Sequence, residues 1–223
     1  MTYFIAGTDT DCGKTFVASA LLHRAKQNGT TLGVKPIASG CEVTEQGLRN
    51  SDALSLMAQS SLQLAYEQVN PFAFVPAIAP HIAAKKIGLS LTPQVIVEHL
   101  KSLPFAEVDF ALVEGAGGWR LPLGEGAYLS DVVKQLNLPV ILVVGVKLGA
   151  LNHALLTQEA LLADGIRIAG WVANIVDIAM SEPEENLASL EQMMSSPCLG
   201  IIPHLAEGDA VQAAEFLDLN LLK

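Results

Sequence analysis

The stretch "GTDTDCGKT", residues 7–15, follows the short apolar run "TYFIA" at residues 2–6 and leads straight into "KTFVASALLHRAK". It ends like a phosphate-binding loop. The usual spacing, G-x-x-x-x-G-K-[ST], would put the first glycine at position 8. Thr8 stands there, and Gly7 comes one residue early. Two readings are open: a nucleotide loop lengthened by one residue, or a plain strand-to-helix turn in which Thr10 or Asp11 caps the helix. In a parallel α/β sheet, ligands gather beyond the carboxyl ends of the strands, which is where this stretch falls. As a nucleotide loop it would turn its backbone N–H groups, and those of the helix start, toward polyphosphate. Gly13 would permit close approach, Lys14 would neutralise the β and γ phosphates, and the Thr15 hydroxyl would take a place on Mg²⁺.

Working outward, strand-like and helix-like segments alternate: "TLGVKP" then "SDALSLMAQSS", "VDFALVEG" then "LSDVVKQLN", "PVILVVG" then "NHALLTQEALLADG", followed by "IRIAGWVANIV" and "LGIIP". Strands apolar on both faces belong to a parallel sheet covered by helices on each side, so the expected fold is α/β, a mostly parallel three-layer sheet. One domain over residues 1–223 is expected, since the chain is 51% hydrophobic and long enough for one sizeable core. Gly29 and Gly165 are predicted to stop helices in the left-handed conformation. Residues 70–91, interrupted by Pro71, Pro76 and Pro80, form the least regular connection and are expected to carry binding surface.

Composition excludes several classes of function. With 23 acidic and 13 basic side chains the net charge is −10, which repels nucleic acid and leaves anion binding to local donors. Cys12, Cys41 and Cys198 are odd in number and show no C-x-x-C spacing, which argues against disulfides or zinc and fits a reducing compartment. The most apolar run, residues 138–146, is too short to span a membrane, and no basic leader opens the sequence, so cytosol is the expected location. The five histidines form no ligand spacing, and no Gly-x-Ser-x-Gly motif supports acyl-enzyme chemistry.

Several further residues are candidates from local chemistry. Glu114 ends the strand in "VDFALVEGAGG" and can hold Mg²⁺, with Gly115 and Gly117 leaving bare backbone beside it; a solvated strand end is the other reading. Asp52 in "RNSDALSL" reads locally as part of a helix cap formed with Ser51. Lys35 in "VKPIASG" either stabilises charge on a transferring group or is solvated. In "VKLGALNH" the N–H groups around Gly149, Ala150 and Leu151 either receive a carboxylate or make an ordinary turn. Asn174 in "NIVD" can address a base edge, although Ile175 breaks the N-K-x-D pattern of GTPases.

Taken together, "GTDTDCGKT", "VKPIASG", "RNSDALSL", "VNPF", "PHIAA", "VEGAGGW", "LPVILVVGVKLGALNH" and "AGWVAN" closely resemble the bacterial dethiobiotin synthetases over nearly the whole chain. That family uses the lengthened loop. The resemblance implies a homodimer that takes ATP, Mg²⁺, CO₂ and diaminopelargonic acid and closes the ureido ring of dethiobiotin, in biotin synthesis, with no enzyme nucleophile. It implies Lys14 and Lys35 as catalytic cations, and Thr15, Asp52 and Glu114 on the metal. Nucleotide contacts would come from Asp11, Cys12, Gly13, Lys14, Thr15, Gly115, Ala116 and Gly117, with Asn174, Pro203, His204 and Leu205 at the base. Thr10, Ser39, Lys147, Gly149, Ala150, Leu151 and Asn152 would meet substrate, the last four across the dimer interface. Three positions depart from the family pattern: Asp11 where glutamate is expected, Cys12 where a small aliphatic residue is common, and His204 where an aromatic is frequent. The competing reading is a partitioning-type switch ATPase, which would carry an early loop lysine where this chain has Thr8.

Overall fold

The computed structural model describes residues 1–205 and 209–222. Six strands form the central sheet: β1 (Thr2–Gly7), β2 (Thr31–Val34), β3 (Phe110–Glu114), β4 (Val140–Val146), β5 (Ile168–Ile175) and β6 (Cys198–Ile202). Their order is β6-β5-β4-β1-β3-β2, and every pairing is parallel. Side chains alternate across a strand, so β1 sends Phe4 and Ala6 into one apolar layer and Tyr3 and Ile5 into the other. All seven residues of β4 are buried, as a central strand covered on both faces requires.

Helices supply the two outer layers. Val17, Leu21 and Leu22 of α1 (Lys14–Lys26) pack with Leu56 of α2 (Ser51–Gln59) on the Ile5 face. The short α3 (Tyr66–Val69) and α4 (Pro80–Lys86) precede α5 (Pro93–Lys101), whose Ile96, Val97 and Leu100 cover the Phe4 face. That face is completed by α6 (Leu129–Leu136), α7 (Ala150–Ala163) and α8 (Pro183–Met193), while α9 (Ala210–Ala214) returns to α1. The expected three-layer α/β architecture is therefore present. Among the described residues, no helix is long and apolar enough to cross a membrane.

Two local expectations need correction. Gly165 does take a left-handed conformation, with φ of 72°, but Gly29 does not. The absence of a side chain at Gly29 instead makes room for Asp109: a Cβ there would lie 2.6 Å from its Oδ2, which accepts from Thr30 N at 2.8 Å. The cap of α2 is Asn50, not Ser51. The Asn50 Oδ1 accepts from the N–H groups of Asp52 and Ala53 at 3.1 and 3.3 Å. The proline-broken connection is more ordered than its composition suggests, because residues Phe72–Phe74 pair in parallel with Ile37–Ser39 before Pro80 opens α4.

Candidate active site

The loop after β1 explains the early glycine in physical terms. Thr8 N still bonds Val143 O at 3.0 Å, so the strand ladder continues past Gly7. A Cβ on Gly7 would lie 2.5 Å from Cys12 Sγ and 3.0 Å from the Lys14 stem, so both side chains fold over bare backbone. Gly145 does the same from β4, where a Cβ would meet the Cys12 Cα at 2.8 Å. The chain then turns through Asp11, with φ of 59°, and Gly13, with φ of 88°, before α1 begins. Neither Thr10 nor Asp11 caps that helix; Gly13 occupies the cap position with no side-chain bond. Its first-turn N–H groups are therefore left for a ligand or solvent. Lys14 Nζ lies back on the loop, donating to Asp9 O at 2.8 Å.

Beside this loop, β3 ends at Glu114, which is 1% exposed. Its Oε1 accepts from Thr15 Oγ1 at 2.7 Å and from Lys35 Nζ at 2.5 Å. Lys35, only 4% exposed, also donates to Gly115 O at 3.0 Å and pairs with Asp52 Oδ2 at 3.1 Å. The solvated readings of Glu114 and Lys35 are thus excluded. Burial acts to lower the Lys35 pKa, but Glu114 and Asp52 together outweigh it and hold the ammonium above its ordinary range. Among the described residues, Glu114 Oε2 is buried with no hydrogen-bond partner, an unmet acceptor beside a satisfied Oε1.

These groups share one cavity of about 810 Å³. It brings together Thr10, Asp11, Gly13, Lys14, Thr15 and Lys35, and also Ser39, Asp52, Glu114, Ala116 and Gly117. Ala77, Ile78, Ala79 and Pro80 also line it, from the proline-broken connection of residues 70–91 that the sequence marked as binding surface. Ser39 Oγ is buried and, among the described residues, has no hydrogen-bond partner. Cys12 lies beneath the loop, fully buried, and Gly115 offers its carbonyl to Lys35.

The remaining candidates lie elsewhere on the carboxyl side of the sheet. Asn174, on β5, donates from Nδ2 to Cys12 O at 3.0 Å, and a Cβ on Gly13 would sit 2.1 Å from that nitrogen. Pro203, His204 and Leu205 follow β6, with His204 exposed. Lys147 pairs closely with Asp9, which raises its pKa against the opposing effect of burial. Gly149, with φ of 93°, turns the chain into α7, whose first residues are Ala150, Leu151 and Asn152. Sequence reasoning missed Asp9 as the partner of Lys147, since nothing local links residues so far apart. It also missed Asn50, Tyr66 and Asn70, which lie behind Lys35.

A loop leaving the central strand of a parallel sheet for a Lys-Thr helix start, with an acid one strand over bonded to that threonine, is how P-loop nucleotide-binding proteins are built, and this protein is one of them. A family model described as an AAA domain matches residues 1–212. The MinC:MinD cell division protein complex of Aquifex aeolicus has the same fold, with a TM-score of 0.60 at 16% identity, covering 96% of this chain and 91% of that one. The chain is 54% identical over 221 residues to the ATP-dependent dethiobiotin synthetase BioD of Pseudomonas paraeruginosa, covering 99% of this chain and 97% of the relative. It is 55% identical to the protein of that name from Pseudomonas aeruginosa, with the same coverage. The chain belongs to the ATP-dependent dethiobiotin synthetase family.

Proposed function

We propose that this protein closes the ureido ring of dethiobiotin from 7,8-diaminononanoate (diaminopelargonic acid) and CO₂, with ATP giving ADP and phosphate, in biotin biosynthesis. The observation that carries the reading is the cavity itself: two lysines and a set of oxygen donors line it together with apolar residues, and among the described residues no histidine or cysteine lines it. Such a site positions and stabilises charge and leaves the nucleophiles to the substrate.

The chemistry follows in three steps. One substrate amine adds to CO₂, losing a proton and forming a carbamate. A carbamate oxygen attacks the γ-phosphorus of ATP and ADP leaves, giving a carbamic-phosphoric anhydride. The second amine attacks the carbamic carbon, phosphate departs, and the cyclic urea is complete. Lys14 swings from Asp9 O to the β and γ phosphates, and Lys35 stabilises the charge on carbamate and transferring phosphoryl. Ser39, whose hydroxyl lacks a partner among the described residues, orients the substrate together with Thr10, which lines the same cavity.

The donor set suits Mg²⁺, which takes one or two carboxylates and leaves its other positions to phosphate and water. Thr15, Asp52 and Glu114 would hold it, and the unpaired Oε2 of Glu114 fits that duty. When bound, the ion would neutralise charge developing on the β and γ phosphates. Asp11, Gly13, Ala116 and Gly117 line the phosphate path, Asn174 addresses the adenine edge, and residues 203–205 flank the base. The start of α7, with Lys147, receives the substrate carboxylate across a homodimer interface. A cytoplasmic setting suits the three free cysteines, Cys12, Cys41 and Cys198.

Phosphate release with Mg-ATP, measured with and without diamine and bicarbonate, tests this reading. The synthetase requires both additions. Steady hydrolysis independent of either would support a switch ATPase.

A further inference from the structure

Next to the cavity, on residues that do not line it, runs a chain of buried polar groups that touches both sides of the Lys35–Asp52 pair. Asn50 N donates to Tyr66 Oη at 2.7 Å. Tyr66 Oη donates to Asn70 Oδ1 at 3.0 Å, and Asn70 Nδ2 donates to Lys35 O at 2.6 Å. Lys35 N in turn donates to Val69 O at 3.0 Å. The main chain of Lys35 is therefore clamped at both its N–H and its carbonyl by residues 69–70. At the other end, Asn50 is the residue whose side chain caps α2 by accepting from the N–H of Asp52. One hydroxyl thus joins the turn that fixes Lys35 to the cap that fixes Asp52.

Asn50, Tyr66 and Asn70 are all buried, 6%, 8% and 3% exposed. No water can replace a lost member cheaply. The ring of Tyr66 is itself held, with the Arg49 guanidinium carbon 4.2 Å from its centroid.

We infer that Tyr66 and Asn70 are positioning residues for the metal and phosphoryl corner: their relay keeps the Lys35 ammonium and the Asp52 carboxylate in register against Glu114. The inference deepens the proposed function and rests on it only for the identity of the reaction. Removing the Tyr66 hydroxyl leaves Asn50 N–H and Asn70 Oδ1 without partners, frees the start of α2, and lets Asp52 and Lys35 drift apart. Partners outside the first set of ligands commonly change metal affinity or activity by one to two orders of magnitude.

The test compares Tyr66→Phe, Asn70→Ala, Asp52→Asn and the double variant Asp52→Asn/Tyr66→Phe. ATP binding is followed by calorimetry across Mg²⁺ concentrations, alongside kcat and KM. Both single relay variants are expected to raise the Mg²⁺ needed for half-maximal tightening of ATP binding by about tenfold and to lower kcat by a similar factor. ATP binding without Mg²⁺ is expected to stay unchanged. In the Asp52→Asn background, Tyr66→Phe should cost clearly less than it does alone, because the arm of the relay that runs through Asn50 acts through Asp52 while the arm through Asn70 to Lys35 remains. Leu62→Ala, which trims a half-buried side chain packed against the core between α2 and α3, should lower thermal stability and leave the Mg²⁺ dependence alone.

Wild-type Mg²⁺ dependence in both relay variants overturns the inference, as does an undiminished Tyr66→Phe effect in the Asp52→Asn background. So does absence of any Mg²⁺ dependence in the unmodified protein. If the unmodified protein makes no cyclic urea, the functional reading fails, and the binding comparison still decides the positioning role.

Discussion

At the scale of single residues, the site turns on a carboxylate that the fold has taken almost wholly out of water. Glu114 is tolerable there because Lys35 and Thr15 meet one oxygen, and the other is left for a ligand. Lys14→Ala and Lys35→Ala are each expected to lower ring closure by roughly 10²–10³ in kcat while far-ultraviolet circular dichroism at 25 °C stays native. Lys35→Ala should also lose the larger share of stability in urea melts, since it leaves Glu114 buried beside an empty place. The pH dependence of Lys35 has a definite sign. Its folded pKa is raised, so its charge and the stability it contributes are fully present below the ordinary lysine value of 10.5 and fade only as pH climbs through the higher folded value. No break in stability or rate assignable to this lysine should appear in a titration between pH 6 and 9, a window chosen well below that range. Lys14 and Thr15 were legible in sequence because their spacing from Gly13 is diagnostic. Glu114 and Lys35 were legible only as alternatives, since a strand-end acid and lysine look the same whether solvated or paired with one another.

At the scale of elements, the proposed function depends on how closely neighbouring groups can approach bare backbone. The turn into α1 works because Gly13 has both a positive φ and no Cβ to strike Asn174. Gly13→Ala is expected to cost about 1–3 kcal/mol from backbone strain alone, with the clash adding to it, and to weaken ATP binding at least tenfold by calorimetry. A second device ties the glycine-rich segment after β3 to the far end of α7. Trp119 Nε1 donates to Asp164 Oδ2 at 2.8 Å, and Arg120 meets both carboxylate oxygens at 2.6 and 3.1 Å. Burial tends to raise the Asp164 pKa, and the bonds from Arg120 and Trp119 overcome it, so the folded value is lowered. Its contribution to stability is therefore present above the ordinary value of 3.8 and lost as pH falls through the lower folded value. Asp164→Asn should flatten that acid limb in thermal melts taken between pH 5 and 2. Helix and strand identities were readable from period and apolar run length. The Asn50 cap was not, because Asn50, Ser51 and Asp52 are adjacent residues that can each cap a helix and only the backbone path decides between them; the role of Gly29 was not, because it depends on Asp109 from elsewhere in the sequence.

At the scale of the whole molecule, a globule of net charge −10 repels polyanions as a whole, and the proposed function gives their capture to two buried cations, Lys14 and Lys35, at the carboxyl edge of one sheet. The sheet was legible because its strands are apolar on both faces. The cavity lining at residues 77–80 was legible only as part of the stretch 70–91 expected to carry binding surface; which of those residues meet the cavity depends on tertiary packing, not on local pattern. The proposed homodimer gives the start of α7 a task outside its own cavity, and Leu148 beside it is 90% exposed. Leu148→Asp is expected to shift sedimentation toward monomer and weaken diamine binding together; a dimer with unchanged affinity would remove that surface from the account. The central claim is that one pocket joins phosphoryl transfer to ring closure. It is tested most directly by incubating the protein with the diamine, Mg-ATP and ¹³C-labelled bicarbonate and reading the product by mass spectrometry. The account predicts label in a cyclic urea formed one for one with ADP. ADP formed without labelled urea would contradict it.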